Sequence, residues 1–177
     1  MKLLGLLRHA KSDWDDLNLR DFDRGLNDRG RKGAALMGTH IRQHGEKWGM
    51  ILASPAERVR RTLSAAGLEQ SARWDEKAYL ASSATLIELL RAVEGNPASV
   101  LLVAHNPGLQ ELIFELVPPE AENPLFDEAA EKYPTAAFAV LELAIDDWNE
   151  IAAGSGRLVH FARPRDLDPE LGPERLR

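Results

Sequence analysis

Continuous apolar runs alternate along the chain with segments whose apolar positions recur every three to four residues. A strand covered on both faces is apolar throughout, so residues 3–7, 50–53, 100–104 and 136–143 are predicted strands, with 158–162 as a fifth. The first helix is predicted over residues 28–44, with Ala34, Met37 and Ile41 inward, Asn27 as cap and Gly45 as stop. A second is predicted from Ser54 as cap, with Pro55 at the first helical position, Glu57 closing a capping box, and Val59, Thr62, Leu63 and Ala66 as the inner stripe. A third follows Ser83, with Leu86, Ile87, Leu90 and Val93 inward and Gly95 as stop. The fourth follows Asn106 and Pro107, buries Leu109, Leu112, Ile113 and Leu116, and is broken by Pro118 and Pro119. This alternation predicts an α/β layer fold with a largely parallel sheet. Two charged connections, 12–26 and 118–134, exceed the usual link length, and long loops near strand ends often carry function. The segment 164–177 reads as a surface strap or frayed end.

Composition narrows the function classes. A length of 177 residues predicts one domain, 1–177, and 44% hydrophobic residues supply a core without a metal or disulfide framework. The chain has no cysteine, which removes thiolate zinc sites and cysteine nucleophiles and fits a reducing compartment. A net charge of −6 has the wrong sign for broad capture of nucleic acid, though it allows a local cationic pocket. The apolar stretch after Met1 is too short for a signal-peptide core, and no run approaches the roughly 20 residues of a membrane-spanning helix. The expectation is a cytoplasmic protein with neither a nucleic-acid nor a membrane partner.

Parallel sheets gather ligands outside the carboxyl ends of their strands, so the residues leaving each run carry the candidate chemistry. The first run gives Arg8 and His9, the second Ser54 to Arg58, and the third His105 and Asn106. Two histidines and two arginines converging on one rim would suit phosphoryl transfer, with arginine forks holding equatorial oxygens and a neutral imidazole able to act as nucleophile. Read singly, each residue also fits a structural strand-end role, and sequence spacing alone leaves an anion site and that bland alternative both open.

At these positions the chain resembles the histidine phosphatase superfamily. Arg8-His9-Ala10-Lys11-Ser12 is similar to its Arg-His-Gly opening, and Leu26-Asn27-Asp28-Arg29-Gly30 to its Leu-Thr-x-x-Gly element. The stretch from Ser54-Pro55 through Arg58 to Thr62 resembles its Ser-Pro-x-x-Arg-x-x-x-Thr element, and Ala104-His105-Asn106-Pro107 its second-histidine element. The short chain, the Asp21 to Leu26 run and Tyr133-Pro134-Thr135-Ala136 look most like the SixA-type phosphohistidine phosphatases. The resemblance implies a three-layer α/β/α sandwich of the phosphoglycerate mutase type, with His9 as the phosphorylated nucleophile and Arg8, Arg58 and His105 holding the phosphoryl group. It implies no metal or organic cofactor, a phosphorylated protein or small phosphate as substrate, and inorganic phosphate as product. Arg24 becomes a candidate for a further phosphate contact.

Two departures from the family pattern bear on chemistry. Ala10 stands where glycine is usual, and Asp15 where asparagine is frequent. The stretch that supplies a proton donor in mutase-like members offers only Glu76, a weak candidate. An imidazole leaving group, with a reference pKa near 6.5, needs a proton far less than an alcohol does, which favours phosphohistidine as substrate. A broad small-molecule phosphomonoesterase and a non-catalytic phosphate-binding module are the alternatives. His40 and His44 have helical metal-ligand spacing without a completing carboxylate, His160 is expected to pack or be solvated, and Asp13, Asp15 and Asp16 only faintly resemble a metal loop.

Overall fold

The computed structural model describes residues 1–173. Its strands are β1 (Lys2–Arg8), β2 (Met50–Ala53), β3 (Ala72–Trp74), β4 (Ser99–Ala104), β5 (Phe138–Leu143) and β6 (Gly156–Ala162), joined in one sheet of order β3-β2-β4-β1-β5-β6. β1 to β4 pair in parallel, β5 pairs antiparallel to β1, and β6 antiparallel to β5, so β5 alone runs against the rest. The predicted mostly parallel sheet is therefore present.

The helices are α1 (Asp28–Gln43), α2 (Glu57–Ala66), α3 (Ser83–Arg91), α4 (Gly108–Leu116), α5 (Pro124–Glu131) and α6 (Pro164–Leu167). Strand side chains alternate between two cores, as the pleat requires. Leu4, Leu6, Val100, Leu102 and Leu141 pack with Leu86 and Leu90 of α3, Leu109 and Leu112 of α4, and Phe126 of α5. On the other face Leu7, Leu101, Val103 and Phe138 pack with Met37 and Ile41 of α1 and Val59 and Leu63 of α2. The result is the expected three layers, α/β/α. Because the chain leaves β1 toward the α1 face and β4 toward the α4 face, a crevice opens between these neighbouring strands at their carboxyl ends, where ligands of such sheets bind.

Several boundaries differ from the pattern. The capping box predicted at Ser54 does not form: α2 starts at Glu57 behind Ala56 (φ −55°, ψ 143°), and the Ser54 hydroxyl oxygen accepts from the Ala56 amide at 3.3 Å and lies 2.7 Å from His105 Nε2. Ala136, predicted inside a strand, takes a left-handed φ of 60° and turns the chain before β5 begins. Val93 packs from beyond the end of α3 rather than within it. β3 is three residues long, too short to show a period, and α5 lay hidden in the 118–134 connection because it buries only Phe126 and Ala129. Asn27 does cap α1, accepting a hydrogen bond from the Gly30 amide at 2.8 Å. The C-terminal segment is a strap across α1 as far as residue 173: Arg29 donates to the carbonyls of Glu170 and Gly172, and Lys32 pairs with Asp168 at 3.1 Å. Residues 174–177 of the predicted tail lie outside the described residues.

Candidate active site

His9 leaves β1 with its amide donating to the Ala104 carbonyl of β4 (3.2 Å), which fixes the two strand exits side by side. The next amide, that of Ala10, donates to Thr62 Oγ1 (2.9 Å), and the Thr62 hydroxyl donates to the Arg58 carbonyl (2.7 Å). One side chain thus ties the β1 exit to the first turns of α2. Ala10 is fully buried and does not need a left-handed backbone, so the alanine is accommodated where glycine was expected. Gly30 is required for a different reason: a Cβ there would lie 2.2 Å from the Lys11 carbonyl oxygen, so any larger residue would push the His9 loop off α1.

The opposite wall comes from the turn before β5. The Ala136 amide is shared by the carbonyls of Arg8 (3.1 Å) and His9 (2.9 Å), and Tyr133 donates its hydroxyl to the Leu6 carbonyl (2.6 Å). The Tyr133 carbonyl accepts from Arg8 Nη1 and from Asn106 Nδ2, both at 3.0 Å. Arg8 and the loop after β4 are therefore held by one peptide oxygen.

The residues predicted to converge do so. His9 and His105 face each other with ring centroids 5.2 Å apart, and both are buried. Arg58, also buried, places Nη2 3.3 Å from His105 Nδ1. The partners settle the tautomers. His9 Nδ1 lies 2.8 Å from the Ala10 carbonyl, which can only accept, so Nδ1 carries the proton and Nε2 the lone pair. Arg58 can only donate, so His105 Nδ1 holds a lone pair and its Nε2–H donates to Ser54 Oγ at 2.7 Å.

Burial is the main force that pushes the His9 pKa down to about 3, with the charges of Arg8 and Arg58 adding to it. Burial, then His9 and Arg58, likewise lowers His105 to about 3. Burial also pulls the Arg8 guanidinium below its ordinary value. Both imidazoles are neutral at physiological pH, the form in which an imidazole nitrogen keeps a lone pair. Their folded-state pKa values lie below the unfolded value of about 6.5, so the unfolded chain binds more protons; the stability they confer is complete above that value and is lost as pH falls from about 6.5 toward about 3. In NMR titration of the unliganded protein, neither ring is expected to protonate between about pH 8 and about pH 5, and the thermal midpoint should fall as the solution is acidified over that range. Titration of either ring near the ordinary imidazole value would contradict this electrostatic picture.

Two residues beside Arg58, Asp21 and Tyr79, were not anticipated. Asp21, from the 12–26 connection, accepts from Arg58 Nη2 through its carboxylate (3.0 Å) and from Arg58 Nη1 through its carbonyl (2.8 Å), and the Tyr79 hydroxyl donates to the same carboxylate at 2.5 Å. Burial works against its ionisation, but the hydrogen bonds from Tyr79 and Arg58 outweigh burial and hold its pKa below the ordinary carboxylate value. No periodicity marked Asp21; its signals were its place in a long loop beside a strand end and in the Asp21 to Leu26 run that carries the resemblance. Arg24 is buried, donates to the carbonyls of Asp16 (2.8 Å) and Leu19 (3.0 Å) and lies over the Trp14 ring, so it braces this loop. Glu76 and Asp15 are exposed. His40, His44 and His160 lie together, with His40 Nε2 2.8 Å from His160 Nε2, and no group of metal-ligating residues is found among the described residues.

The chain belongs to the histidine phosphatase superfamily. The branch 1 family model matches residues 4–84, which takes in His9 and Arg58 and stops before His105. An uncharacterized protein of Mycobacterium tuberculosis is 35% identical over 160 residues, spanning 90% of this chain and 100% of its own length. Within the superfamily the chain is SixA-like. The structure named SixA from Nakamurella multipartitia is 27% identical with a TM-score of 0.82, covering 92% of this chain and 96% of that one. The SixA structure from Agrobacterium tumefaciens is 29% identical with a TM-score of 0.76, covering 92% and 98%. The fold is accordingly of the phosphoglycerate mutase type and the chain is a phosphatase by class. No helix among the described residues is long and apolar enough to cross a membrane.

Proposed function

We propose that the protein removes phosphoryl groups from phosphohistidine in proteins through a covalent phosphohistidine on His9, without a metal or organic cofactor. The observation that carries this reading is the fixed His9 tautomer: Nδ1–H is committed to the Ala10 carbonyl, leaving the Nε2 lone pair in a buried pocket with Arg58, Arg8 and His105. In the first step Nε2 attacks phosphorus and the bond from phosphorus to the substrate nitrogen breaks. An imidazole whose other nitrogen is protonated departs neutral, so no acid is required. An alkoxide would require one, and Glu76 is exposed while Asp21 is held ionised. In the second step water attacks phosphorus and the P–Nε2 bond breaks. Because Nδ1 keeps its proton throughout, the phosphoimidazolium leaves as neutral imidazole, and both water protons end on the inorganic phosphate.

Arg58 and Arg8 supply charge for the equatorial oxygens. A phosphoryl dianion beside His105 opposes the burial and the neighbouring cation that keep that ring neutral, so His105 takes up a proton from solvent on Nδ1 and donates it as a hydrogen bond. Arg24 acts through the loop rather than on the phosphate. The names of both SixA structures point to phosphohistidine, and the exposure of Glu76 supports the same substrate.

Asp21 occupies Arg58 donors that the phosphate needs, which makes it an internal competitor. Asp21→Ala is expected to tighten inorganic phosphate binding about fivefold in calorimetric titration; weaker or unchanged binding would show that the carboxylate does not compete. The substrate assignment is tested by phosphate release from matched phosphohistidine and phosphoserine peptides, with and without chelator. Chelator-insensitive release favouring phosphohistidine is expected. Equal or faster release from the ester would make the protein a broad phosphomonoesterase, and release from neither would make it a phosphate-binding module.

A further inference from the structure

Ser54 and His105 are the first residues beyond β2 and β4, and their side chains meet across these paired strands. The Ser54 amide donates to the Val103 carbonyl (3.0 Å), which carries the parallel pairing one residue past the end of β2. Its hydroxyl oxygen accepts from the Ala56 amide (3.3 Å), a turn that sets the side-chain direction, and lies 2.7 Å from His105 Nε2. Both side chains are buried, so neither can exchange this bond freely for one to water.

A neutral imidazole carries one N–H and one lone pair, and the surroundings decide which nitrogen holds which. The charged and titratable groups facing His105 from other elements are Arg8 and His9 from the end of β1, Arg58 from α2, Asp21 from the 12–26 connection and Tyr79 from the turn before α3. Among the described residues Ser54 alone bonds Nε2. Arg58 demands a lone pair at Nδ1, and the serine oxygen supplies the matching acceptor for Nε2–H. When a phosphoryl dianion is bound and Nδ1 takes a proton, the charged ring has two N–H groups to satisfy. A phosphoryl oxygen accepts one and Ser54 the other. Without the hydroxyl, the second would be a buried donor on a cation with no acceptor, which disfavours the charged ring.

We propose that Ser54 is a positioning residue for the phosphoryl group: its hydroxyl oxygen turns the bare Nδ1 of His105 into the pocket, and it holds the opposite N–H when Nδ1 is protonated against the phosphoryl oxygens. The inference rests on the reading that His105 binds a transferring phosphoryl group, and it adds the residue that orients that ring. Ser54 acts through His105, so its whole effect on phosphate binding and turnover depends on the imidazole being there.

The first measurement needs no variant. Ring-nitrogen NMR shifts of His105 in the unliganded protein are expected to place the proton on Nε2; a proton on Nδ1 would overturn the proposal. The second compares wild type with Ser54→Ala, its fold verified by the backbone amide spectrum, in the presence of saturating inorganic phosphate. His105 is expected to lose its proton at a pH lower by about one to two units in the variant, the equivalent of the roughly 10 to 100-fold loss that follows removal of one hydrogen bond to a charged group. In turnover, kcat/KM for phosphohistidine peptides should fall by about the same factor, with its alkaline limb moved to lower pH. On a His105→Ala background, Ser54→Ala should cost little more. An unshifted His105 titration in the folded variant, or an undiminished further loss on the His105→Ala background, overturns the proposal in favour of a packing role. A shifted titration together with no phosphate release from any substrate by the wild type would uphold the hold of Ser54 on His105 while the catalytic reading fails.

Discussion

His9→Ala is expected to reduce kcat for phosphohistidine peptides by on the order of 10⁴-fold or more, the scale at which loss of a nucleophile leaves only binding and electrostatic stabilisation. The reason lies in what the other groups can do. Arg8 and Arg58 only donate, and His105 has one nitrogen turned to Ser54 and the other to Arg58, so no second lone pair is set to attack phosphorus. The substitution should leave the fold intact, because the backbone bond from residue 9 to the Ala104 carbonyl and the Ala10–Thr62 link do not depend on the ring. Phosphate binding should survive for the same reason. Loss of turnover with retained phosphate affinity, measured by steady-state kinetics and calorimetry on one preparation, is the expected pairing; turnover within about tenfold of wild type would remove His9 from the chemistry.

Arg58→Ala carries the next largest expectation, a fall in kcat/KM of about 10² to 10³-fold, the usual effect of removing one preorganised donor from a developing oxyanion. Its effect should exceed the loss of one hydrogen bond, because Arg58 is the buried cation that neutralises Asp21. Without it the Asp21 carboxylate faces the incoming phosphoryl group unopposed. Adding Asp21→Ala should therefore recover part of the loss, a non-additivity expected only of groups in direct contact. Arg58→Lys should recover little, since a point charge cannot engage the Asp21 carbonyl, its carboxylate and a phosphoryl oxygen together. Full additivity in the Arg58/Asp21 cycle would contradict the role given to Asp21.

The reasons some features were legible in the sequence and others were not are physical. β1, β2 and β4 are central and buried on both faces, so each wrote itself as an unbroken apolar run, and Arg8, His9 and His105 could be read as the first polar residues beyond them. Ser54 marked the correct rim but for the wrong reason: a serine before proline has the local signature of a cap, while its partner His105 is 51 residues away in sequence. Asp21 is brought to Arg58 by a loop that is shaped by the Ser12–Leu26 bridge and by Arg24, and Tyr79 reaches the Asp21 carboxylate from a turn 58 residues away in sequence, contacts no period encodes.

The central claim is the covalent intermediate on His9. Its most direct test is to mix the protein briefly with a substrate carrying radiolabelled phosphate, denature it, and map the label to a peptide. The label is expected on the peptide containing His9, stable to base, lost in acid as a phosphoramidate is, and absent from His9→Ala. Turnover at the wild-type rate with the label on another residue, or from the His9→Ala variant, would contradict it.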